Sequence, residues 1–252
     1  MVRTLTSAAI VLLTSAAMLA AQDAELPLPE QVYVAYYKIG YADLDEWIED
    51  YYEFSVPVLE ELQAEGVIVG WGAWQHQTGV EYNWRFAVRT TEWAQLSEFW
   101  SEYLGRVQER SPDAMARGSD MILGHYDEIW DLTEIHVPEG MSAEYMYDSR
   151  FQISFGDFGA WNDMWRDLVA PELDRAMEEG ILSGWAVQEH NTGGRYNWKV
   201  LYFFEEWDDM DDLFGRVMSE LRTDAELWDQ FGSMIQAHDD VIWTAVPAPE
   251  GM

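Results

Sequence analysis

The stretch WQHQTGVEYNW (residues 74–84) is written a second time as QEHNTGGRYNW (residues 188–198). Setting His76 on His190 gives an offset of 114 residues, and nine of the nineteen positions from Gly66 to Trp84 equal those from Gly180 to Trp198. Chance would give about one, so the chain carries an internal repeat. The same offset pairs Trp47 with Trp161, Pro57 with Pro171, and Glu92-Trp93 with Glu206-Trp207. One residue is lost further on, so that GHYDEIW (124–130) matches AHDDVIW (237–243), and each copy closes on Pro-Glu-Gly-Met. The Pro and Gly of VPEGMSAE (137–144) suit an exposed connection between the copies.

Each copy has a readable order of elements. VYVAYYK (32–38) and RFQISF (150–155) are rich in β-branched and aromatic residues and read as first strands. Leu44, Trp47, Ile48, Tyr51, Val58, Leu59 and Leu62 recur at three to four residues, which predicts a helix stopped by Gly66. Pro57 and Pro171 fall inside these helices and cannot donate a backbone hydrogen bond, so a kink or a break is expected there. Residues 68–76 and 182–190 read as second strands, joined by a Thr-Gly turn to third strands at 82–89 and 196–203. A second helix from Glu92 or Glu206 carries Trp93, Leu96, Trp100, Tyr103 and Val107 on one stripe. A short helix and a final strand (126–132 and 241–246) complete a β-α-β-β-α-β order, twice, with units expected at 30–137 and 145–247.

Composition bounds the function. The 252 residues, 48% hydrophobic and 15% aromatic, support a sizeable core. Lys and Arg number 14 against 47 Asp plus Glu, a net charge of -33, which repels nucleic acid and anionic membranes. The acids are scattered along helices and no Asp-x-Asp-x-Asp-Gly calcium loop occurs, so the acidity reads as a solvated surface. Arg3, the apolar run Ala8–Leu13 and the small residues around Ala17–Gln22 make residues 1–21 a signal peptide, giving a secreted or periplasmic protein. Without cysteine there is neither a disulfide nor a lipoprotein anchor, and no later segment is apolar enough for stable membrane insertion.

The element order, with the Gly-x-x-x-Gly-Trp pattern leading into the hairpin at Gly66–Trp71 and Gly180–Trp185, resembles the ferredoxin-like fold of the dimeric α+β barrel superfamily. Here two copies would be fused in one chain, an α+β fold in which tandem βαββαβ units form an intramolecular two-sheet barrel. The resemblance implies helices outside two facing sheets, with the space between the sheets holding a small organic ligand or, in some branches, haem. Members range from cofactor-free oxygenases of polycyclic substrates to isomerases, decarboxylases and haem enzymes, so the fold does not select a chemistry.

Strand alternation nominates the site. Tyr82, Trp84, Phe86 and Val88 share one face of the third strand, and Asn83, Arg85, Ala87 and Arg89 the other; Tyr196 and Trp198 against Asn197 and Lys199 repeat the pattern. The aromatic face suits the helices, and the face with Asn and a base is expected to look between the sheets. An inward Arg85 or Lys199 demands a partner: a carboxylate such as Asp127 or Asp240, or an anionic ligand group. Four of five histidines are repeat-matched, His76 with His190 and His125 with His238. They serve either as bases or as inherited hydrogen-bond partners of the turn. No metal-spaced His pattern exists and no residue is marked as a haem ligand, so neither a metal nor a cofactor is expected. The 14 tryptophans read as core first.

The expected protein is therefore an exported α+β barrel that binds a small polar or anionic organic ligand, needing no further subunit. His76 and His190 would be its bases if it is a cofactor-free enzyme, and Asn83, Arg85, Asn197 and Lys199, with Tyr82 and Tyr196, would hold the ligand. A non-catalytic interaction module and a metal protein built on the matched histidines are the alternatives.

Overall fold

The computed structural model describes residues 30–79, 81–138 and 140–246; the leader expected at 1–21 and residue 247 at the expected end of the second unit lie outside them. The first half runs β1 (Glu30–Ile39), α1 (Leu44–Asp50), a π-helical turn (Tyr51–Ser55), α2 (Val56–Ala64), β2 (Gly70–Thr78), β3 (Trp84–Thr90), α3 (Trp93–Arg110), α4 (Pro112–Met121) and β4 (Ile122–His136). The second runs β5 (Tyr145–Ile153), α5 (Phe158–Met164), a π-helical turn (Trp165–Val169), α6 (Ala170–Glu178), β6 (Gly184–Thr192), β7 (Trp198–Phe204), α7 (Asp209–Leu221), α8 (Ala225–Met234) and β8 (Ile235–Ala245).

The eight strands close into an antiparallel barrel in the order β1-β3-β2-β8-β5-β7-β6-β4. Two of its seams join the halves: β2 pairs with β8, setting His76 opposite Trp243, and β6 pairs with β4, setting His190 opposite Trp130. The seam with β6 accounts for the added far end of β4 at Glu134–His136, whereas the added residues 235–240 of β8 pair with β5 of their own half. Each is hydrogen-bonded on both sides, to the first strand of its own half and to the second strand of the other. Closure leaves these strands without a free edge.

The prolines are accommodated rather than disruptive. Pro57 and Pro171 sit in the first turns of α2 and α6, immediately after the π-helical turns. The widened turn rearranges the hydrogen-bond ladder where proline has no N–H, and the chain remains helical through both sites. Gly66 and Gly180, at φ 78° and 77°, then end α2 and α6 in the left-handed conformation that glycine adopts without a Cβ penalty.

Alternation along the strands sorts the core into three clusters. Trp84, Phe86 and Val88 pack under the helices of the first half, and Trp198, Val200, Tyr202 and Phe204 under those of the second. Val32, Val34, Tyr36, Trp130, Met146, Leu201 and Trp243 fill the barrel. The space between the sheets is thus a packed core rather than the cleft expected for a ligand.

Candidate functional site

Asn83 and Asn197 stand where β3 and β7 begin, and both side chains are committed to backbone. Asn83 Oδ1 accepts from Ile39 N at 2.7 Å and Nδ2 donates to Ile39 O at 2.9 Å; Asn197 makes the same two bonds to Ile153, each at 2.7 Å. Each amide completes the ladder where the hairpin leaves the sheet. Both amides, expected as ligand contacts, are occupied by backbone. The change of path at each Asn also reverses Tyr82 and Tyr196, which join the barrel-interior cluster instead of the helix-facing one. Tyr82 stacks on Tyr126, with ring centroids 6.2 Å apart.

Arg85 and Lys199 lie inside the barrel, 2% and 0% exposed. Lys199 Nζ donates to Glu128 Oε2 at 3.1 Å and to Tyr36 Oη at 3.3 Å, and lies 3.9 Å over the Trp130 ring. Its partner is therefore Glu128, not Asp127 or Asp240. Tyr36 and the Trp130 indole also donate to Glu128 Oε2, and Tyr126 donates to Oε1. Arg150 pairs with Asp148 at 2.7 Å and donates to Tyr36 at 3.1 Å. Burial raises the Glu128 carboxyl, but Lys199 and Arg150 pull harder and hold it below the usual range. Burial lowers Lys199 to about 8 against the opposing pull of Glu128 and Asp148. Five charged side chains thus occupy the barrel interior, packed among Trp130, Trp243, tyrosines and aliphatic residues.

The histidines sit at one end of the barrel. His190 contacts the Gly193 carbonyl in its own hairpin turn and meets Trp130 edge-on at 5.8 Å. His76 meets Trp243 in the same way at 5.9 Å, and burial lowers its pKa. His125 pairs with Asp127 at 2.7 Å, and His238 with Asp240 at 3.0 Å.

The first half holds a half-open cavity of about 230 Å³ on the other face of the sheet, beneath the π-helical turn and α1, α3 and α4. Its walls are mainly aromatic: Tyr37, Trp47, Tyr51, Trp84, Trp100 and Tyr103, closed by Phe54, Phe86 and Met115. None of the residues predicted from the hairpin lines it. Asp50 is the carboxylate in its wall, gripped from outside by Arg117, whose Nη2 lies 2.6 Å from Oδ1 and whose Nε lies 3.2 Å from Oδ2. Tyr103 donates to Ser55 Oγ at 2.9 Å, while the buried Tyr51 hydroxyl has no hydrogen-bond partner among the described residues. Burial, reinforced by Tyr103 and Tyr52, raises the Tyr51 pKa and keeps this phenol neutral.

The repeat shows why the cavity is open. At the matched positions of the second half Phe231 replaces Gly118, Leu227 replaces Ala114, and Met164 and Val169 replace Asp50 and Ser55. Phe231 stacks on Trp161 with centroids 5.5 Å apart at 20°. On the first half Gly118 lies against the equivalent Trp47, where an added Cβ would sit 3.6 Å from the indole, and no side chain covers the ring from that position. A sequence reading could have found this signal by comparing the copies where they differ; the expectations above came from where they agree.

A haem does not fit this wall. It contains no histidine or cysteine, and its tyrosines Tyr37, Tyr51 and Tyr103 are all held neutral by burial.

No protein-family model matches the chain, and no curated protein matches it. Solved structures do. The "putative monooxygenase" of Lactobacillus acidophilus superposes with a TM-score of 0.59 at 11% identity, covering 87% of this chain and 95% of that one. A mutant chlorite dismutase from Candidatus Nitrospira defluvii in complex with cyanide gives 0.54 at 12% identity, covering 88% and 93%. An anthrone oxidase-like protein gives 0.50 at 10% identity, covering 90% and 96%. At such identities the likeness is one of fold, and the chain has the architecture of the dimeric α+β barrel proteins, closed here within one polypeptide.

Proposed function

We propose that this protein is an exported small-molecule-binding α+β barrel, formed from two fused ferredoxin-like units, whose binding site is the aromatic cavity of its first half. The leader at residues 1–21 and the internal repeat support the export and the duplication. The similar structures include proteins named for oxygenase and chlorite chemistry, which fits a fold that handles small molecules. One observation carries the site: the second half fills the equivalent space with its own Phe231 ring, stacked on Trp161, and the first half leaves that space open beside Trp47. A ligand with one aromatic ring takes the place of the missing side chain. At about 230 Å³ the cavity is smaller than the roughly 300 Å³ at which drug-sized sites begin, and larger than the roughly 150 Å³ that holds benzene.

The test is to write the second half's filling into the first. The variant Ala114→Leu/Gly118→Phe should lose binding of single-ring aromatic ligands by at least about a hundredfold, measured by calorimetry, while circular dichroism still reports a folded barrel. Undiminished binding by the folded variant would move the site elsewhere.

A further inference from the structure

The cavity wall identifies the ligand's charge as well as its shape. Resting on the binding role proposed above, we propose that the ligand is a small organic cation, an aryl-bearing ammonium whose charged nitrogen sits between the aromatic walls and Asp50. Tyr37, Trp47, Tyr51, Trp84, Trp100 and Tyr103 surround the space. Their ring faces carry the negative end of the aromatic quadrupole, and in a partly desolvated site they attract a cation more than a neutral group of the same shape.

The fixed charges agree. No Lys, Arg or His lines the cavity, and Asp50 is the ionic side chain that does. Arg117 holds Asp50 but is shared, since its Nε lies 3.0 Å from Glu46 Oε1. The trio of Glu46, Asp50 and Arg117 therefore keeps a net charge of -1 beside the site. The Tyr51 hydroxyl, buried and unpartnered among the described residues, offers its oxygen to an N–H donor. The second half supplies a control: where its space is filled, the positions of Asp50, Tyr51 and Ser55 carry Met164, Trp165 and Val169. Carboxylate and hydroxyls are found where the space is open and are lacking where it is closed. At longer range a chain of net charge -33 draws cations toward it and repels anions.

Two probes of one shape separate charge from fit: phenyltrimethylammonium and its neutral isostere tert-butylbenzene, titrated into the mature protein and followed by ligand-observed NMR. The cation should bind at least about tenfold more tightly. Asp50→Asn should remove about tenfold of its affinity and leave the neutral probe unchanged, and Arg117→Gln, which frees the Asp50 charge, should tighten the cation severalfold. Equal affinity for the two probes, indifference of the cation to Asp50→Asn, or weakening by Arg117→Gln would each overturn the cationic ligand while leaving an aromatic site standing. Failure of both probes to bind the unmodified protein would overturn the binding role with it.

Discussion

The two halves share a frame and diverge in what they place on it. Asn83 and Asn197 tie down the same backbone, Trp84 and Trp198 meet Trp47 and Trp161 edge-on, and Trp130 and Trp243 lie opposite His190 and His76 across the two joining seams. Between these fixed points the matched positions differ in kind. Inside the barrel, Val34 and Tyr36 face Asp148 and Arg150, and Glu128 is matched by Val241. The symmetric counterpart of the Lys199–Glu128 pair would be Arg85 with residue 241, which offers no carboxylate. Arg85 Nε is accordingly left without a hydrogen-bond partner among the described residues, and the guanidinium acts on Asp148 through space. Complementary charges, rather than repeated ones, make each half the specific partner of the other.

The largest break in this comparison comes from removing the two bases in turn. Lys199→Met leaves Glu128 buried without its cation and should cost about 3–5 kcal/mol in urea unfolding. Arg85→Met deletes a base with no hydrogen-bonded carboxylate and should cost less than about 1 kcal/mol. Equal losses would mean that the two bases are equivalent after all.

A smaller break converts the closed half into the open one. Phe231→Ala should lower stability by about 2–3 kcal/mol, below the range for a fully buried ring because Phe231 is only partly covered. A saturating single-ring aromatic ligand should restore part of the loss, with an upward shift of Tm as the readout. Without that rescue, the second half's cavity does not mimic the first's.

The smallest effect is one of pH. Burial raises the Asp148 carboxyl, but Arg150, Lys199 and Arg85 outweigh it and hold the pKa at about 2 in the folded protein. The unfolded value is the ordinary one, near 3.8. With the folded pKa depressed, the contribution is complete above about pH 4 and is lost as pH falls toward 2, a change of about 2 kcal/mol. The stability gap between the unmodified protein and Asp148→Asn should shrink by that amount across this window, whereas Val34, at the matched position, supplies no such acid limb. A gap constant with pH would show that Asp148 is not held ionised by the interior bases.

How much of this was legible in the chain can be said element by element. The hairpin repeat announced two similar halves, and apolar periodicity placed strands and helices close to where they lie, because both depend on local spacing and on turn residues. Alternation along β3 and β7 also put Arg85 and Lys199 on the inward face. It failed at Tyr82 and Asn83, because the period of two holds only within a regular strand and the strand begins at Trp84. The length of β4 and β8 was illegible too, since the end of β4 is held by β6 of the opposite half and the start of β8 by β5, both far away in the chain.

The amino-acid sequence by itself determined the internal repeat, the excess of acidic residues, the aromatic richness and the order of the elements, all of which are properties of composition and near neighbours. Only the tertiary structure decided that Lys199 answers Glu128, that the barrel is filled, and that the open space lies under α4 beside Gly118. Those outcomes depend on which side chains meet across 70 residues or more of chain, and whether a space is filled or empty is settled by packing between elements that no local pattern encodes.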